Sequence, residues 1–328
     1  MALSQSAAVS VDLPPPWAAL AGHDLLELDD LGTSGLRTIL EMCKELRATR
    51  ALPYRHALEG RVIALFFRKA STRTRVTFES AAARLGATSL FLREADVQLG
   101  RGESIEDTAR VLSGYVDAIV IRTFGHDELE RWAQAADVPV LNALTDLAHP
   151  TQVIADLLTV EDRFGQLQGL KLAYVGDGNN MANSYLIGAA LAGVDLAVAT
   201  PPGFEPPAAV VAKAQALAQR TGAHLSVGHD AASAVQGAHA VLTDVWASMG
   251  QEAEAEARKA IFAPYAVTEQ LFGQADRDAV FLHCLPAHRG EEVTAEVIDG
   301  PRSVVMAEAH NRLWVEAALL LGLIGVDV

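Results

Sequence analysis

RVIALFFRKASTRTRVTFESAAARLGA, residues 61–87, contains the change of hydrophobic period that decides the fold. RVIALFFR is a continuous apolar run of strand length, whereas VTFESAAARLGA spaces its apolar residues as a helix does. The junction reads as a buried strand feeding a helix, with Ser71 or Thr72 near the N-cap. At such a point the first backbone N–H groups lack partners inside the helix, and the helix dipole presents partial positive charge. An anion is favoured there without any side chain. Ser71, Thr72, Arg73, Thr74 and Arg75 strengthen the site, because a guanidinium binds phosphate oxygens in pairs and short hydroxyls fill the remaining lone pairs. Two readings stand at this stage: a phosphate cradle, or a well-capped helix carrying solvated arginines.

Outward from this junction the same alternation continues. LGTSGLRTILEMCKELRATR reads as an amphipathic helix, and strand-like runs follow at 61–67, 88–93 and 117–121 with helical patterns between them. PVLNALTDLAHPTQVIADLLTVEDRFG reads as a strand end, a loop and a long helix that bridges into a second domain. Beyond it, LKLAYVGD, VDLAVATPP, HLSVGHD, HAVLTDVW, AVFLHCLPA and SVVMAEAH are short apolar runs separated by Ala-rich helices. The expected fold class is α/β: two domains, each a parallel sheet flanked by helices, joined by long helices.

A chain of 328 residues suits two domains with a core in each. Half its residues are hydrophobic and 20% are charged, a globular composition. Apolar stretches are interrupted before the roughly 20 residues a spanning helix needs, and residues 1–20 lack a basic start followed by an apolar core. No membrane association is expected. Two cysteines, Cys43 and Cys284, do not make a disulfide framework, and the expected location is the cytoplasm. With 26 basic against 41 acidic residues the net charge is −15, which argues against nucleic acid as a partner. An acidic protein that gathers arginine at one helix start suits a small anion in a cleft.

Other motifs carry rival readings. GDGNNM, residues 176–181, lies where a dinucleotide fingerprint would, yet Met181 replaces the third glycine and the next strand ends in Thr200 and Pro201 without a ribose-binding acid. No nicotinamide or flavin cofactor is expected. Asn179, Asn180 and Asn183 read either as contacts to a polar substrate or as turn-forming caps. HPTQ sets His149 and Gln152 three residues apart at a helix start, suited to a carbonyl and an amide nitrogen or simply to capping. In DVWASMGQE, Asp244 stands at a strand end where a carboxylate would bind an ammonium, with Ser248 and Met249 beyond it. HCLPAHRG holds His283, Cys284, His288 and Arg289; a metal site and a Cys/His thiol hydrolase are both readable there.

Taken in order, STRTR, IRTFGH, HPTQ, DVWASMGQE and HCLPAHRG resemble the aspartate/ornithine carbamoyltransferase superfamily, from about residue 24 to the C-terminus. STRTR with HPTQ marks the superfamily, and SMG with HCLP its ornithine branch. The resemblance implies that Ser71, Thr72, Arg73, Thr74 and Arg122 bind the phosphate of carbamoyl phosphate. It implies that His149 and Gln152 meet the carbamoyl group, and that Arg312 closes the site. Asn180, Asp244, Ser248 and Met249 would bind the amino-acid end of L-ornithine, with Cys284 and Leu285 beside the reacting centre. Gln98 matches a position that reaches a neighbouring subunit's site, so a homotrimer or an assembly of trimers is implied. Arg75 is expected to pair inside the cradle.

The implied domains are a loose tail at 1–22, a carbamoyl phosphate domain at 23–158 plus a terminal helix at 311–328, and an ornithine domain at 159–310. The implied reaction moves the carbamoyl group to the δ-amine of ornithine, giving citrulline and phosphate without metal or organic cofactor. Arg73, Arg122, His149, Asp244 and Cys284 are its expected catalytic residues. A carbamoyltransferase for putrescine, acetylornithine or aspartate, or a non-catalytic phosphate-binding regulator, would keep the same cradle.

Overall fold

The computed structural model describes residues 14–99, 102–247 and 255–325. Two wholly parallel sheets form. The first contains β1 (Val62–Phe67), β2 (Thr88–Arg93), β3 (Ala118–Arg122) and β4 (Val140–Leu144) in the order β2-β1-β3-β4. The second contains β5 (Lys171–Val175), β6 (Asp195–Ala199), β7 (Leu225–Gly228), β8 (Ala240–Thr243) and β9 (Val280–His283) in the order β7-β6-β5-β8-β9. The central strands are continuous apolar runs because helices cover both faces, whereas edge strand β2 alternates exposed with half-buried positions.

Side chains alternate across each strand, so each sheet feeds two cores. Ile63, Leu65 and Val120 of the first sheet share one large apolar cluster with Leu172, Val198 and Leu242 of the second. Phe66, Ile119 and Trp132 pack behind the first sheet, and Val175, Val241 and Phe281 behind the second. The shared layer includes the helices Gly32–Thr49, Pro150–Phe164, Asn180–Ala192 and Val305–Ile324. The last of these, the C-terminal helix, packs on Gly32–Thr49, on Pro150–Phe164 and on the cradle helix Thr72–Leu85.

Two expectations are corrected. SVVMAEAH is not another sheet run: only Ser303 forms a bridge, to Phe281, and the chain turns helical at Val305, six residues before the expected start. Buried Glu308 and Arg312 interrupt the apolar period there and conceal the helix. Residues 14–22 are packed as well. Trp17, on the short helix Pro15–Ala18, and Leu20 are buried in the shared core, and the Gly22 N–H donates to the Leu323 carbonyl at 2.8 Å. An Ala/Pro-rich composition hid these two anchors; residues 1–13 lie outside the described residues.

Strand order reverses between β1 and β3 in the first sheet and between β5 and β8 in the second. Open α/β sheets bind ligands in the crevice outside the carboxyl ends of their strands at such points. Here both crevices open onto one cavity.

Candidate active site

The cavity holds about 590 Å³. Lys69 to Thr74 enter from the end of β1, Arg122 from β3, His149 and Gln152 from the start of helix Pro150–Phe164, and Asn180 from the loop after β5. Asp244 follows β8, Cys284 and Leu285 follow β9, and Arg312 arrives from the C-terminal helix.

At one end the cradle helix begins at Ser71, whose extended backbone (φ −157°) lets its hydroxyl accept the Thr74 N–H at 3.3 Å. Three guanidinium groups converge on this helix start. Arg312, buried, donates to Gln152 Oε1 at 2.8 Å, to Thr74 Oγ1 at 3.1 Å and to Glu316 Oε1 at 2.6 Å. Arg73 donates to the Leu285 carbonyl, which Leu285 presents from a left-handed φ of 58°. Arg122 is also buried, and its Nε has no hydrogen-bond partner among the described residues. Burial first, then Arg312 and Arg73, lowers the Arg122 guanidinium to about 10. Crowded buried cations with an unsatisfied donor form a site that an anion relieves.

His149 sits next to them, its backbone N–H donating to Ser184 Oγ at 2.8 Å. Burial and the three arginines hold its imidazole well below the ordinary range, so it is a neutral donor that adds no charge. Gln152 turns its oxygen to Arg312 while its nitrogen donates to Asp156 Oδ1 at 2.8 Å and Glu308 Oε1 at 3.0 Å.

At the other end Asp244, buried, accepts from Asn179 Nδ2 at 2.9 Å and from Cys284 Sγ at 3.1 Å. Burial and this carboxylate push the Cys284 thiol well above its usual value. The thiol-hydrolase reading is therefore corrected: a thiol donating to a carboxylate is not an activated nucleophile. His283 does not assist, since its Nδ1 accepts the Leu285 N–H at 2.9 Å and its Nε2 faces Glu292 at 3.2 Å. Those bonds engage both ring nitrogens of His283 and leave that side chain no free ligand atom. Asn179 caps its helix by accepting from Met181 and Ala182, and Asn180 donates to the Thr145 carbonyl at 2.7 Å. A Cβ on Gly178 would come within 2.4 Å of the Phe204 carbonyl, so this glycine serves close backbone packing.

The carbamoyl-P binding domain of aspartate/ornithine carbamoyltransferases matches residues 23–162, and the Asp/Orn binding domain of the same family matches residues 168–323. The chain belongs to the aspartate/ornithine carbamoyltransferase family. An ornithine carbamoyltransferase of Carboxydothermus hydrogenoformans is 52% identical over 94% of this chain and 99% of its own length. The Bacillus subtilis enzyme of that name is 50% identical over 92% of this chain and 94% of its own. Among solved structures, the ornithine carbamoyltransferase from Pyrococcus furiosus superposes with a TM-score of 0.91 at 48% identity, covering 94% of this chain and 99% of that one.

Within this family frame, Ser71, Thr72, Arg73, Thr74, Arg122, His149, Gln152, Asn180, Asp244, Cys284, Leu285 and Arg312 all line the one cavity. Gln98 does not; it is exposed on the segment after β2. Arg75 is corrected to the outer face of its helix, where it donates to Glu79 at 2.9 Å and lies over the Phe91 ring. Ser248 and Met249 lie outside the described residues. Sequence reading missed Lys69, a buried cavity residue that donates to Asp146 and lies over the Phe124 ring. It also missed Asp156, Glu308 and Glu316, whose signal was acid on otherwise apolar helical stripes.

Proposed function

We propose that the chain transfers the carbamoyl group of carbamoyl phosphate to the δ-amine of L-ornithine, giving L-citrulline and phosphate. The observation that carries the reading is the convergence of Arg73, Arg122 and Arg312 on a helix start, with the Arg122 Nε unsatisfied, across one cavity from Asp244. The ornithine carbamoyltransferases that resemble the chain over nearly its full length support ornithine as the acceptor. Phosphate occupies the cradle of Ser71, Thr72, Arg73 and Thr74 with Arg122. His149, neutral, donates to the carbamoyl oxygen, and the arginines stabilise the charge that builds on that oxygen and on the leaving phosphate. Asp244 holds the ornithine α-ammonium, and Asn180, Ser248 and Met249 complete the amino-acid end.

A δ-amine with an ordinary pKa of about 10 has to lose its proton before it attacks. The cationic cluster favours the neutral amine, and holding two substrates in line supplies much of the rate. The reading includes a cytoplasmic homotrimer in which Gln98 serves the adjoining subunit's cavity; its exposure outside its own cavity supports this. The test is a steady-state panel of ornithine, putrescine, acetylornithine and aspartate with carbamoyl phosphate. Carbamoylation of ornithine alone is expected; preference for another amine, or no transfer, rejects the reading.

A further inference from the structure

Beneath the Gln152 end of the cavity lies a buried acid pair that does not line it. Asp156 and Glu308 are each about 1% exposed and come from different helices, 152 positions apart in the chain order. Between them they accept both protons of the Gln152 amide, at 2.8 and 3.0 Å. Their outer oxygens are engaged too: Asp156 Oδ2 accepts from the Tyr185 hydroxyl at 2.5 Å and Glu308 Oε2 from the His283 N–H at 3.0 Å. We propose that Asp156 and Glu308 are positioning residues for carbamoyl transfer, clamping the Gln152 nitrogen so that its oxygen faces Arg312 and the carbamoyl end of the cavity.

The chemistry admits one orientation. Turned over, the Gln152 nitrogen would meet the Arg312 guanidinium donor to donor, and its oxygen would meet two carboxyl groups. Held as it is, the oxygen accepts from Arg312 and keeps a second lone pair for the NH2 of the carbamoyl group. Two acids this close share a proton. Burial pushes both carboxyls up, Glu308 well above the carboxylate range and Asp156 to about 6, so the pair holds a proton between them. Tyr185 and Arg312 face the pair, and Cys284 and Arg73 lie near it; of these four only Arg312 bonds Gln152, at its oxygen.

This inference rests on carbamoyl phosphate being the donor. Acetyl phosphate separates positioning from structure, because its methyl group replaces the NH2 and has no use for the Gln152 oxygen. In Asp156→Asn and Glu308→Leu the dissociation constant of carbamoyl phosphate is expected to rise about tenfold, with the inhibition constant of acetyl phosphate staying within about twofold. Glu308→Gln, whose amide can donate to Asp156 and accept from Gln152, is expected to restore carbamoyl phosphate binding to within about threefold of the unsubstituted chain. Equal weakening of both phosphates, or unchanged carbamoyl phosphate binding in the first two variants, overturns the inference. If either of those variants fails to fold, the other is read against Glu308→Gln by the same criteria. Failure of the functional reading shows earlier, as an unsubstituted chain that neither binds carbamoyl phosphate nor forms citrulline.

Discussion

Asp244 accepts from Asn179 and Cys284 while remaining on the cavity wall, so its carboxylate combines a structural anchor with an open electrostatic role. Asp244→Asn keeps the shape and removes the charge. Ornithine KM is expected to rise at least about tenfold, with carbamoyl phosphate affinity, measured calorimetrically without ornithine, unchanged. A joint fall in both affinities would assign Asp244 to the fold alone. His149 gives a pH prediction at the same scale. Its folded-state value lies well below 6.5 through burial and the arginines, so the ring is expected to be neutral at pH 5.5 in nitrogen-15 NMR spectra. The linked stability follows in sign: below about 6.5 the unfolded chain binds a proton at this ring that the folded chain refuses, and this contribution is lost as pH falls.

Among the elements, the cradle helix joins local signal to global packing. Ser71 caps its start, and Gly86 ends it at φ 88°, with its Cβ position 2.8 Å from the Arg55 carbonyl. Both the left-handed backbone and the contact exclude a side chain. Gly86→Ala is expected to cost about 2 kcal/mol of unfolding free energy, read from the denaturant midpoint, since it adds strain and overlap together. Carbamoyl phosphate affinity of the folded variant is expected to stay the same, because the substitution lies at the opposite end of the helix from the anion. The C-terminal helix works differently. It brings Arg312 to Gln152 and Thr74, 160 and 238 positions away in sequence, and pairs that arginine with Glu316 one turn on. Burial, set against Arg312, raises the Glu316 carboxyl to about 7.

For the whole molecule, the prediction concerns sites shared between chains. Gln98 is exposed and outside the cavity, whereas Arg73 is inside it. Arg73→Ala and Gln98→Ala are each expected to be nearly inactive alone. After unfolding and reassembly of an equal mixture, about a quarter of sites are expected to recover, because some interfaces pair an intact Arg73 with an intact Gln98 from the adjoining chain. Activity that stays at the level of the separate variants despite demonstrated subunit exchange would refute the shared site. At this scale the sequence by itself determined the two parallel sheets and the strand-to-helix junction capped at Ser71, because strand period and capping arise between residues close in the chain. Only the tertiary structure decided that Trp17 and Leu20 are core, that Arg75 faces away from the cradle, that Lys69 turns inward, and that Asp156, Glu308 and Glu316 surround Gln152 and Arg312. Burial and the partners of a buried charge are set by segments far apart in sequence, and they fix which side chains hold protons and which way an amide points.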